Sequence, residues 1–209
     1  MKWITKALST IALLMSSDSI ANQIDAVNLK AKLNNMRTYS ADFIQVVRDL
    51  QGKLVLEGQG HLLLESPLKM RWAQKQPDDT LFVSNGKYGF YFDSFAEQVT
   101  IMDSVKLVTQ TPFVLLTSMD EVHWSQYTVT QKNNSFVITP IVKEAQQVEK
   151  LEVAFSNEGI LSSVKLTDLS GQRATYSFSK PVVNEPIDPI LFTFEIPKGV
   201  FIDDQTQSD

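Results

Sequence analysis

The chain has 209 residues, 43% hydrophobic and 21% charged, with a net charge of −5 and no cysteine. That composition excludes a disordered chain and gives one domain enough apolar mass for a core without metal or disulfide help. The acidic balance argues against nucleic acid and against docking on anionic lipid, while the missing cysteine removes disulfides, thiol nucleophiles, cysteine metal sites and an N-terminal lipid anchor.

Residues 1–21 read as a secretory signal peptide. Lys2 and Lys6 give a positive start, the run from Ala7 to Met15 is apolar, and Ser19-Ile20-Ala21 places small residues where a signal peptidase reads them. Cleavage is expected after Ala21. The apolar run is far short of the ~20 residues that span a bilayer. Residues 22–209 then form a single exported domain, slightly more acidic than the full chain because the signal carries two lysines and one aspartate.

The sequence predicts a helix over 22–38, with Leu29, Leu33 and Met36 on one face and Ala26 near it; Ile24 and Val27 fall off that face. Strands follow. Phe43 to Val47 leads to a turn at Gln51-Gly52 and then Leu54-Val55-Leu56. Gly58 and Gly60 flank Gln59 and suggest a bent or bulged strand. Leu62-Leu63-Leu64 runs to Pro67, and Lys69 to Trp72 forms the next strand. Leu81 to Val83 and Tyr88 to Phe92 make a hairpin about the turn Ser84-Asn85-Gly86-Lys87, and Val99 to Ile101 continues the sheet. A short, almost wholly apolar helix is expected from Pro112, capped by Thr111. Strands resume at Tyr127 to Thr130, Phe136 to Ile138, Lys150 to Phe155, Leu161 to Leu166 and Ala174 to Phe178; Phe192-Thr193-Phe194 then precedes Pro197-Lys198-Gly199. Residues 181–190 hold three prolines and fit either a loop or an extra edge segment.

Turn signals every ~8–12 residues point to one large antiparallel sheet, which tends to curl. Leu62-Leu63-Leu64 and Phe90-Tyr91-Phe92 are apolar on both faces. Two architectures fit: a sheet with helices packed on one side, which the pattern alone favours, or a curled sheet whose concave face surrounds an apolar cavity.

The chemistry of an enzyme is missing from the sequence, and no catalytic residue or cofactor is expected. The two histidines, His61 and His123, stand apart, with no second histidine at metal spacing. No G-x-S-x-G, Gly-rich phosphate loop or H-E-x-x-H occurs. Asp78-Asp79 and Asp203-Asp204 read as loop charge.

Five segments follow one another in order from about Leu29 to the end: the helix leading into Tyr39-Ser40-Ala41-Asp42-Phe43-Ile44-Gln45; Glu57-Gly58-Gln59-Gly60 with Pro67 and Met70-Arg71-Trp72; Gln76-Pro77-Asp78 with Val83 to Lys87 and Phe90-Tyr91-Phe92; Glu97-Gln98 with Thr111-Pro112-Phe113; and Phe192-Thr193-Phe194 with Pro197 to Val200. Together they resemble the outer-membrane lipoprotein carrier family LolA. The resemblance implies a mainly β fold, an incompletely closed antiparallel β-barrel with a few helices as a lid over an apolar cavity. It implies a monomeric periplasmic carrier that takes acylated lipoproteins from an inner-membrane ATP-driven transporter and passes them to an outer-membrane acceptor lipoprotein. It places the lid at Pro112, Phe113, Leu115 and Leu116 and a cavity residue at Met70. Strand alternation adds Trp72, Leu62 and Leu64 to the wall, with Phe82 and Phe90 from the adjoining hairpin. Each of these residues fits ordinary core packing equally well. Ser66 stands where the family often has an arginine that ties the lid to backbone; a serine reaches less far, so a lid held mainly by apolar packing is expected. The rival readings are the acceptor of the same pathway, which needs a cysteine anchor; an exported binding protein or sensor for free lipids or other apolar ligands; and an exported lipid hydrolase.

Overall fold

The computed structural model describes residues 17–103, 106, 112–142 and 148–206. Helix α1 (Ser17–Asn34) is followed by six strands: β1 (Thr38–Arg48), β2 (Leu54–Glu65), β3 (Lys69–Gln76), β4 (Thr80–Asn85), β5 (Tyr88–Asp93) and β6 (Gln98–Asp103). A 3-10 helix, η1 (Pro112–Thr117), and a one-turn helix, α2 (Glu121–Trp124), cross to the second half. That half holds β7 (Tyr127–Lys132), β8 (Ser135–Pro140), β9 (Val148–Phe155), β10 (Leu161–Asp168) and β11 (Arg173–Val183), then the 3-10 turn η2 (Pro189–Phe192) and β12 (Phe201–Asp204).

All twelve strands belong to one sheet in the order β12-β6-β5-β4-β3-β2-β1-β11-β10-β9-β8-β7. Every pairing is antiparallel except β12 on β6, which is parallel. The end strands β12 and β7 do not pair with each other, so the barrel is not closed. The sheet nevertheless curls strongly. β3 and β11 are separated by β2 and β1, a span of about 14 Å in a flat sheet, yet the Trp72 and Tyr176 rings lie 4.8 Å apart.

Period-two alternation sets the two faces. Tyr39, Ala41 and Phe43 of β1 are buried and sit opposite Leu64, Leu62 and Gly60 of β2. The row continues through Met70 and Trp72 of β3 to Ser84 and Phe82 of β4. This is the inner face, and a single core joins it to α1 and η1. Gly60 sits at a β-bulge where the ladder shifts between Gln59 and Gly60. A Cβ there would lie 2.2 Å from the Ala73 carbonyl oxygen and 2.5 Å from the Phe43 ring. Only glycine lets Phe43 lie across β2 and reach Trp72, 4.2 Å between ring centroids.

The structure departs from the sequence reading at several borders. α1 ends at Asn34 and β1 already begins at Thr38, so the helix expected to run to residue 38 stops earlier. α1 also begins at Ser17, within the expected signal; residues 1–16 lie outside the described residues. Its buried face holds Leu29 and Leu33 as expected, Ile24 and Val27 are exposed, and Met36, just past the helix, is also buried. The segment after Pro112 is a 3-10 helix, and its expected cap Thr111 lies outside the described residues. Phe192, at the start of the Phe192-Thr193-Phe194 segment, closes η2. Asp203 and Asp204, read as loop charge, lie in β12, where pairing with Thr100 and Ile101 overrides two poor strand formers.

Candidate functional site

The inner face of β1–β4 forms an apolar wall. Leu62, Leu64, Met70, Trp72 and Phe82 all lie on it and are all buried. Phe90 does not join them. A hairpin with a two-residue connection pairs Phe82 with Tyr91 and Val83 with Phe90, so Phe90 follows Val83 to the outer face. There its ring stacks on Phe194, 5.5 Å away. Tyr91 takes the inner position that the sequence reading gave to Phe90.

η1 lies against this wall. Phe113, Val114, Leu115 and Leu116 are buried, as is Thr117, so the segment is enclosed on every side. It begins at Pro112, as expected. The Phe113 ring meets Trp72 edge-on at 4.9 Å and Tyr176 at 5.0 Å. Phe43, Trp72, Phe113 and Tyr176 thus form one aromatic cluster where β1, β3 and β11 meet η1. Burial pushes the Tyr176 hydroxyl up to about 12, against a hydrogen bond donated by Gln45 Nε2 at 2.9 Å.

Among the described residues η1 has few polar ties. The Leu68 backbone N–H donates to the Thr117 carbonyl at 3.3 Å. Within the segment, the Thr117 hydroxyl donates to the Val114 carbonyl at 2.9 Å. Ser66 is not the contact: its backbone N–H donates to the Arg37 carbonyl, and its hydroxyl has no hydrogen-bond partner among the described residues. The turn at Pro67 presents Leu68 to the lid, at a backbone φ of 55°. Arg71 faces outward and donates from Nη1 to the Leu191 carbonyl at 3.2 Å. Beyond η1 the chain is clasped by Ser118, whose carbonyl accepts from Trp124 Nε1 at 3.0 Å and whose hydroxyl bonds His123 Nδ1 at 2.7 Å.

The other covering of the inner face is α1, set beside β7. The Asp25 carboxylate accepts from the Gln131 backbone N–H at 2.8 Å, Asn28 donates to the Gln131 side chain at 2.9 Å, and Lys30 pairs with Glu121 at 2.7 Å. At the opposite end from Met36 the groove opens into a pocket of about 330 Å³, lined by Leu56, Trp72, Gln74, Phe82, Tyr91 and the strongly exposed Phe95.

His61 has partners that its sequence position did not reveal. On the outer face, its Nδ1 lies 2.9 Å from Asp42 Oδ1 and its Nε2 3.0 Å from the Ser40 hydroxyl, while Lys180 donates to Asp42 Oδ2 at 2.9 Å. The His61 bond, then Lys180, holds the Asp42 carboxyl below the usual carboxylate range. Both side chains are nearly half exposed, 44% and 45%. The network links β2, β1 and β11 on the face away from the groove. No group of three or more metal-ligating side chains occurs among the described residues. None of their helices is long and apolar enough to cross a membrane.

Sequence reasoning missed Phe43, Gln45 and Tyr176. Phe43 shares the parity of Tyr39 and Ala41, a signal that was available. Tyr176 lies 131 residues from Gln45, and only the fold joins them.

The model of the family described as "Outer membrane lipoprotein carrier protein LolA" matches residues 34–195. The outer-membrane lipoprotein carrier protein of Pseudoalteromonas translucida (strain TAC 125) is 43% identical over 210 residues, covering 100% of both chains. That of Pasteurella multocida (strain Pm70) is 36% identical, covering 96% of this chain and 97% of its own. Among solved structures, an uncharacterized conserved protein from Thermus thermophilus shares the fold at 10% identity, with a TM-score of 0.50 over 88% of this chain and 99% of that one.

Proposed function

The chain belongs to the LolA family of outer-membrane lipoprotein carrier proteins, and from that premise we propose that acyl chains of the cargo replace η1 on the wall formed by Leu62, Leu64, Met70, Trp72 and Phe82. The protein is a lipoprotein carrier; what is proposed is how the groove performs the task. The observation that carries it is the lid itself: four consecutive apolar side chains, Phe113 to Leu116, packed on the wall that an acyl chain would need.

Magnitudes support an exchange. Burial of a large apolar side chain is worth about 1.5–3 kcal/mol, so the four lid side chains contribute roughly 6–12 kcal/mol to the closed state. An acyl chain of about fifteen methylenes, at ~0.8 kcal/mol each, carries about 12 kcal/mol when taken from water. One chain therefore roughly replaces the lid, and further chains supply net affinity. The cargo is held against water without being bound at the full hydrophobic strength, so it can be released. The mouth pocket of about 330 Å³ is at the low end for a drug-sized ligand. An anchor of several acyl chains needs more room, which requires the lid to move.

The same reading extends to the route. Signal cleavage after Ala21 releases a monomeric domain, residues 22–209, to the periplasm. An inner-membrane ATP-driven transporter supplies the lipoprotein, and an outer-membrane acceptor lipoprotein takes it. No chemistry is performed on the cargo. The lid is held by apolar packing and the Leu68–Thr117 backbone bond, with Ser66 contributing nothing. The test is release of lipoproteins from spheroplasts by the added mature protein. A soluble complex containing triacylated lipoprotein is expected, and Trp72→Asp should abolish it. A protein that recovers free fatty acids but leaves lipoproteins in the membrane would be a general lipid binder and not this carrier.

A further inference from the structure

The inner face is not uniformly apolar, and its polar groups are graded along it. Leu62, Leu64 and Met70 are buried in one core with η1, and Trp72 touches both Phe113 and the open mouth. Gln45 stands opposite Gly58, one inward-facing pair from Val47 and Leu56, and Leu56 lines the open mouth. Gln74, on the same face of β3, lines that mouth beside Asp78 and Asp93. Gln45 is therefore placed where the greasy part of the groove meets its polar entrance. Its Nε2 donates to Tyr176, but its Oε1 is buried and has no hydrogen-bond partner. A buried amide oxygen without a donor is destabilising.

We propose that Gln45, positioned by Tyr176, is a polar subsite that accepts the N–H of an amide-linked acyl group, the linkage by which a fatty chain is attached to an amine. The inference rests on the carrier reading and deepens it. With acyl tails lying under the displaced lid, the linkage of an amphiphile falls at the mouthward end of the wall, beside Gln45. The unpaired atom is an acceptor, so its ligand must bring a donor. An ester linkage has none and an ionised fatty acid has none; an N-acyl amide has one. The subsite therefore selects amide-linked chains over chains attached only through oxygen.

The test compares two probes of equal chain length, an N-palmitoyl amino acid methyl ester and a plain palmitoyl ester, by competition against a fluorescent fatty acyl reporter on the full mature protein. Wild type should prefer the amide by about tenfold, the size of one neutral hydrogen bond. Gln45→Leu should lose that preference, the ratio of amide to ester affinity falling to about one, and its urea midpoint should fall because the Tyr176 hydroxyl loses its partner. Gln45→Met repeats the measurement with an unbranched chain should leucine pack poorly. Equal binding of both probes by wild type overturns the subsite and leaves the carrier reading standing. So does a preference that survives Gln45→Leu. Failure of wild type to bind either probe removes both.

Discussion

The two segments that cover the inner face, α1 and η1, are fastened in different ways. α1 combines an apolar stripe of Leu29 and Leu33 with polar ties from Asp25, Asn28 and Lys30 to β7 and α2. η1 is apolar nearly throughout and meets the sheet through side-chain packing and one long backbone bond, Leu68 to Thr117. Hydrogen bonds are directional and fix one partner; apolar contact is not, and an acyl chain satisfies Trp72 as well as Phe113 does. The difference teaches which cover can be exchanged. η1 is the one whose contacts a lipid can reproduce, while α1 belongs to the frame.

Substitutions in the two covers should separate them. Leu29→Ala, at a fully buried α1 position, should have the largest effect, lowering global stability by about 2–5 kcal/mol in urea unfolding. Leu115→Ala, equally buried in η1, should lower global stability by less, about 1–2 kcal/mol, because the lid opens below the global transition. It should also bind an acylated lipopeptide several-fold more tightly, since the cargo's competitor is weakened. Equal losses at the two positions, with unchanged binding, would erase the distinction between the covers. Lys30→Ala should cost about 0.2–1 kcal/mol and the loss should shrink in salt, since the Glu121 carboxylate of the pair is open to solvent. Smallest of all is the outer-face network. The Asp42 carboxyl is depressed by His61 and Lys180 in the fold, so the unfolded chain binds more protons there. Its contribution is present at neutral pH and lost as pH falls through the carboxylate range. Asp42→Asn should flatten that acid limb slightly without altering lipopeptide binding.

Much of this arrangement is legible in the sequence. Alternation sets Leu62 with Leu64 on one face of β2 and Trp72 with Met70 on one face of β3, and the resemblance places Met70 at the cavity; the register between the strands joins the two pairs. Pro112 and four apolar residues mark the lid. Where reading failed, the missing information was register or distance in the chain. Phe90 was assigned by proximity to Phe82, yet the two-residue hairpin connection reverses the parity between β4 and β5. Ser66 stands where the resemblance puts a lid-tying arginine, with only a weak contact expected of it; the turn presents the backbone of Leu68 to η1. β12 has four residues, two of them acidic, and forms only because β6 offers it an edge. The Gln45–Tyr176 contact has no local signature, since the two stand directly opposite each other on the adjacent strands β1 and β11, a pairing of segments far apart in the chain.

Hydrogen exchange during loading with a triacylated lipopeptide tests the exchange of covers most directly. The Leu68 N–H, bonded to the Thr117 carbonyl, and the Ser118 N–H, bonded to the Leu115 carbonyl, report on η1; the amides of residues 24–34 report on α1. Cargo should strip protection from the first group and leave the second unchanged. Retained protection at Leu68 and Ser118 in the loaded protein, or loss confined to α1, would contradict the account.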